Sequence, residues 1–218
     1  MKLAANRSSL SMTLLFSVGF ITAGSSADYG VVEATGAFQL PGTSTTTYVS
    51  EVGVLTNPRI QGFDFGSVNT LTGQTLLLQN FYFENYAYNN AGNGAGTNNW
   101  LNSDSTAFLN VIISEGSNLV YNTNYALRQT AINVNNRIWD MATGTNTNLA
   151  AGLATGAYTA TFNVYYTYWE YDGANVSSKN ASTGASTGNF SVLVPAPGAF
   201  ALLGIAGLVS RRRRNELA

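Results

Sequence analysis

The side chains in this sequence that could do chemistry are carboxylates, hydroxyls and aromatic rings. The chain has no histidine and no cysteine. That excludes Ser-His-Asp and Cys-His catalysis, thiol chemistry, zinc-thiolate centres and a disulfide framework. A metal would have to be held by oxygen ligands, as calcium is, but no EF-hand or other metal-ligand spacing occurs, and no motif requires a cofactor. Paired carboxylates remain, drawn from Asp64, Glu84, Asp104, Glu115, Asp140, Glu170 and Asp172. Glu170 and Asp172 share one face of an extended segment, about 6–7 Å apart by strand rise, which overlaps the separation used by inverting glycosidases. Asp172-Gly173 is also a hairpin turn signal, which by itself accounts for Asp172. The expectation is therefore a protein that is not an enzyme, with a carboxylate-based glycoside hydrolase as the lesser alternative.

Aromatic rings offer a second kind of chemistry. The stretch "GAYTATFNVYYTYWEYDG", residues 156–173, is rich in Thr, Val, Phe and Tyr, as strands are. Alternation puts Tyr158, Ala160, Phe162, Val164, Tyr166 and Tyr168 on one face, read as core. The other face carries Thr159, Thr161, Asn163, Tyr165, Thr167, Trp169 and Tyr171. Tyr165, Trp169 and Tyr171 are candidates for carbohydrate stacking, because exposed aromatics present flat apolar faces with a polar handle. Trp100 and Trp139 read as packing residues.

The elements that would position these rings are strands. Residues 46–55, 74–88, 106–114 and 188–194 read as further strands, and 128–139 reads as a strand or a short helix. Between them lie Gly, Asn, Ser and Thr clusters. The run "NNAGNGAGTNN" (89–99) lacks the Lys-Ser/Thr ending of a P-loop and reads as a loop, and 177–189 reads as a mobile, low-complexity loop. "LPGTS" at 40–44 ends in Ser and precedes no apolar run, so it carries no sorting meaning. Many strands without an amphipathic helix predict an all-β fold: a single antiparallel β-sandwich, jelly-roll-like, over residues 28–194.

Charge and the two ends bear on location. Hydrophobic residues make up 45% and charged residues only 10%, well under the usual quarter. Between Asp28 and Val194 there are four basic residues (Arg59, Arg128, Arg137, Lys179) and ten acidic ones, a net of −6. Such a body has no basic patch for a phosphate backbone, so no nucleic-acid partner is expected. At the start, Lys2 and Arg7 precede an apolar run over 10–23, and Ser25 and Ala27 supply small residues before a cut between Ala27 and Asp28. That is the order of parts in a secretory signal peptide, here 1–27. At the far end, Pro195 and Pro197 break the last strand, an apolar run follows over 198–209, and Arg211, Arg212, Arg213 and Arg214 come directly after. The run is short for a membrane span, but arginine stems snorkel and arginines stay on the cytoplasmic side. The tail is expected to stop in the inner membrane as a short helix, with the body outside.

The tail "VPAPGAFALLGIAGLVSRRRR" resembles a PEP-CTERM sorting signal, in its VPAPGA form. Val194, Pro195, Ala196 and Pro197 match the Pro-x-Pro motif, with Ala196 where the commonest form has Glu, and Arg211–Arg214 match the arginine cluster. The resemblance covers residues 194–218. It implies that residues 195–218 are read by an exosortase-type processing enzyme after Sec export, with transient anchoring in the inner membrane through 198–210. It further implies a destination in the cell envelope, at the cell surface or in an extracellular matrix, where substrates of this family are linked to exopolysaccharide and biofilm. The expected role is a non-enzymatic structural component of that matrix, with a carbohydrate-binding module as the alternative.

Overall fold

The computed structural model describes residues 29–53, 56–87, 98–100, 105–132, 136–142, 146–171 and 176–194. The expected signal peptide with its Ala27–Asp28 cut and the expected sorting tail from Pro195 to Arg214 and beyond lie outside the described residues, and so does the expected helix over 198–210. No helix among the described residues is long and apolar enough to cross a membrane.

The described chain is almost all strand, as the alternation predicts. The first four strands are β1 (Tyr29–Gln39), β2 (Thr46–Val52), β3 (Phe63–Asn69) and β4 (Leu77–Ala87). β5 (Asn98–Trp100), β6 (Ala107–Glu115), β7 (Asn118–Ile132) and β8 (Asn136–Met141) follow. β9 (Thr147–Asn148), β10 (Gly156–Tyr171), β11 (Val176–Ser182) and β12 (Ser186–Leu193) complete the set. Hydrogen bonds link the main path in the order β2-β1-β4-β8-β7-β6-β10-β12-β3, with β5, β9 and β11 paired to its sides.

Turn chemistry joins these strands. Pro41-Gly42 forms a type II turn between β1 and β2: Thr43 N donates to Leu40 O at 3.1 Å, and Gly42 takes φ 73°, the left-handed position this turn gives to glycine. That turn is what "LPGTS" encodes. Of the segment 128–139, left open as strand or helix, 128–132 end β7 and 136–139 begin β8.

The sheet curls until its two halves face each other across one core. Phe38 of β1 meets Phe65 of β3 at 4.8 Å and Phe162 of β10 at 5.5 Å between ring centroids. Phe83 of β4 lies 5.3 Å from Tyr166 of β10, and Tyr29 of β1 stacks on Tyr168 at 4.0 Å. Each fully buried ring of this kind contributes about 1.5–3 kcal/mol by leaving water. All six residues assigned to the core face of β10 are buried.

The curl brings the two ends of the sheet together. Ser50 of β2 exchanges backbone hydrogen bonds with Pro58 and Ile60 at 2.9 Å each, and Gly62 N donates to Thr187 O of β12 at 2.7 Å. The segment leading into β3 thus bridges β2 and β12.

Two expectations are corrected. The sheet is mixed and not purely antiparallel, because β3 runs parallel to β12. The described strands join into one curled sheet. Alternation reports which face is buried, and it is silent on which strand lies alongside. The segment 177–189, read as a loop, is also strand over most of its length: β11 pairs with β10 from Tyr165↔Ser182 to Tyr171↔Val176, and β12 begins at Ser186. Its Ser, Asn and Thr residues suit the outer side of a sheet that a long aromatic strand has already templated.

Candidate functional site

The outer face of β10 is the first candidate. β10 is long enough to have two sets of neighbours. Its first part pairs with β12 and β6, and its last part with β11 and β5. The register places Tyr165 directly opposite Phe108 of β6. The two rings stack with centroids 5.2 Å apart and planes 22° apart, and Tyr165 is 39% exposed.

Beside this pair runs a groove of about 260 Å³ lined by Thr106, Phe108, Tyr165, Thr167 and Asn180. Its floor is held firmly. Thr106 N donates to Thr167 Oγ1 at 2.7 Å, and Thr167 N donates to Thr106 O at 2.9 Å. One step along the sheet, Asn163 of β10, Asn110 of β6 and Asn124 of β7 lie in register. Asn110 Nδ2 donates to Asn124 Oδ1 at 2.7 Å and to Asn122 Oδ1 at 2.8 Å. An aromatic shelf therefore adjoins a row of uncharged amides, a surface that can stack an apolar ring face and hydrogen-bond its hydroxyls.

Among the described side chains of the three rings proposed for stacking, Tyr165 is the exposed one. Trp169 shares its face but is half-buried, and its Nε1 is buried without an acceptor. Tyr171 lies opposite Val176 at the end of β10; its side chain, like that of Glu170, is outside the described residues, as are Asp172 and Asp104. Phe108 was missed. Alternation in "TAFLNVIIS" puts it on the face opposite Ala107 and Leu109, but nothing local tells that Tyr165 lies beside it. Trp139 is a packing residue: it is buried, and its indole N–H donates to Asn85 Oδ1 at 2.8 Å.

A second groove, of about 280 Å³, lies on the outer face of β1, β4 and β8, lined by Glu33, Thr35, Tyr48, Asn80, Tyr82 and Asp140. Its carboxylates are all engaged. Thr35 donates to Glu33 at 2.7 Å and Asn80 to Asp140 at 3.2 Å; neighbouring Glu84 accepts from Tyr82 at 2.9 Å and Asn136 at 2.7 Å. Burial, then the Glu84 carboxylate, hold the Tyr82 phenol well above its usual range. Among the described residues, no group of three or more His, Cys, Asp or Glu side chains could hold a metal ion. Asp64 caps Gly66 N at 2.8 Å, a turn contact.

Comparison with protein-family models and with curated proteins finds no match to this chain.

Proposed function

We propose that this protein is an exported bacterial surface or matrix component, sorted by an exosortase-type system and structural in role. The two ends of the sequence carry the export reading: a signal peptide over 1–27 and a PEP-CTERM-type tail over 195–218. Between them the low-charge, Asn- and Thr-rich body suits a hydrated polysaccharide environment, and no step of catalysis is assigned to it. On this reading the two facing halves of the curled sheet act as the layers of a sandwich-like passenger domain.

One observation favours a second reading, a carbohydrate-binding module. It is the exposed Tyr165 ring stacked on Phe108 beside Thr106, Thr167 and Asn180. Affinity electrophoresis of the full chain against a panel of polysaccharides, the host's own exopolysaccharide included, tests it. Retardation should weaken about tenfold in Tyr165→Ala, the equivalent of one good aromatic contact. Trp169→Ala, whose ring is half-buried, should lose stability as well as binding. Retardation by no polymer leaves the structural role and removes the binding module.

A further inference from the structure

Five large apolar side chains are exposed at one end of the sheet: Leu71, Leu119, Val120, Leu193 and Val194, each between 42% and 61% exposed. They lie on neighbouring elements. Leu193 of β12 is in register with Asn69 of β3, and Leu71 sits in the 3-10 turn that follows (Thr70–Thr72), whose Thr70 Oγ1 donates to Leu193 O at 3.2 Å. Thr155, just before β10, donates to Val194 O at 2.8 Å and accepts from Val194 N at 2.7 Å. β10 pairs with β6, and the turn after β6 leads into Leu119 and Val120 of β7. Across the segments 67–74, 114–120, 151–157 and 191–194 that make this end, Glu115 is the one charged residue. The end is therefore apolar, edged with Ser, Thr and Asn, and cheap to take out of water.

The described chain leaves the sheet at this same end. After Val194, Pro195-Ala196-Pro197 alone separate the sheet from the apolar run that starts at Gly198. Three residues span at most about 11 Å. A body tethered so closely has little choice of which end faces the bilayer. We propose that, while the tail is in the membrane, this apolar end rests on the lipid surface, with Leu71, Leu119, Leu193 and Val194 in the interfacial zone. The inference rests on the reading of the tail as a membrane stop. Docked in this way, the body stands with β7 rising from the membrane, and Leu119 and Ile132, thirteen residues apart on that strand, differ in height by at most about 40 Å. The Tyr165–Phe108 shelf, farther along the same strands, then faces away from the lipid.

The chain has no cysteine, so single-cysteine variants label cleanly. The full chain carrying Leu119→Cys, Ile132→Cys or Leu203→Cys would be tagged with a polarity-sensitive dye. Each would be reconstituted into vesicles of phosphatidylethanolamine and phosphatidylglycerol, with or without brominated acyl chains. Leu119 and Ile132 are 61% and 64% exposed on one strand, so they are matched reporters. The Leu119→Cys label should shift to the blue and lose about half its emission to brominated lipid, as interfacial side chains lying roughly 5–10 Å deep do, while the Ile132→Cys label is unchanged. Quenching at Leu203→Cys without quenching at Leu119→Cys keeps the tail in the membrane and overturns the docking. Quenching at both Leu119→Cys and Ile132→Cys also overturns it, because the body would then lie on its side. No quenching at Leu203→Cys overturns the membrane reading of the tail, and the docking with it. A blue shift at Leu119→Cys without bromine quenching means that a second copy, or the tail itself, covers the patch, and this too overturns the proposal.

Discussion

At the scale of single residues, Glu51 carries the clearest consequence. It sits on β2 where the sheet closes, and its Oε1 accepts from Thr183 Oγ1 at 2.8 Å while its Oε2 is buried with no partner. The neighbouring cation, Arg59, is spent on the Glu51 backbone carbonyl at 3.2 Å. Burial therefore raises the carboxyl from 4.5 to about 7, against the smaller opposing pull of its hydrogen bonds to Thr183 and Ser186. A raised carboxyl favours the protonated form in the folded state. Its stabilising contribution is complete below about pH 4.5 and is lost as the pH climbs through about 7. The difference is on the order of 3 kcal/mol. Glu51→Gln keeps an acceptor for Thr183 and removes the charge. Calorimetry at pH 5 and pH 8 should find the parent less stable at the higher pH and the variant nearly indifferent. A parent with equal Tm at both values would contradict this account of the seam.

Among the elements, β10 organises its half of the fold, and the returning chain has to adjust to it. Tyr165 pairs with Ser182, but Phe162 pairs with Ser186, so Thr183, Gly184 and Ala185 oppose only Asn163 and Val164. This is a β-bulge, with Gly184 at φ 87°. Thr183 secures it by accepting from Val164 N at 3.0 Å while donating to Glu51. Beyond the bulge, β12 must accept a parallel neighbour at close range. A Cβ on Gly188 would stand 2.4 Å from the Phe65 ring and 2.9 Å from Phe63 O. Gly188→Ala should therefore cost about 1–3 kcal/mol by overpacking, which lowers Tm by roughly 2–4 °C per kcal/mol in a domain of this size. An unchanged Tm would mean that β3 can shift away from β12 without loss.

For the whole molecule, the closing of the sheet and the nature of its ends matter most. Edge strands invite pairing with other chains, and here part of the outer edge of β2 is taken by residues 58–60. Association in a matrix would then favour faces over edges. Sorting belongs to this scale as well. On the proposed sorting reading, replacing Arg211–Arg214 with neutral residues would remove both the topological brake and the recognition cluster of the tail. Cell fractionation should show the variant mislocalised and its tail unprocessed. Normal localisation and processing would remove the sorting reading from the proposed function.

Much of this could be read from the residues. The alternation in 156–171 placed six side chains in the core, all of them buried, because side-chain direction in a strand is a local property of the backbone. The strands expected at 46–55, 74–88 and 106–114 were legible for the same reason, and they are found at Thr46–Val52, Leu77–Ala87 and Ala107–Glu115. Partnership was not legible. The stacking of Phe108 on Tyr165, the parallel approach of β3 to β12, the bond from Thr183 to Glu51 across 132 residues, and the gathering of Leu71, Leu119 and Leu193 at one end each join distant parts of the chain. Such pairings are settled by how the whole sheet curls to bury its rings. No periodicity within a single strand records which strand will lie beside it.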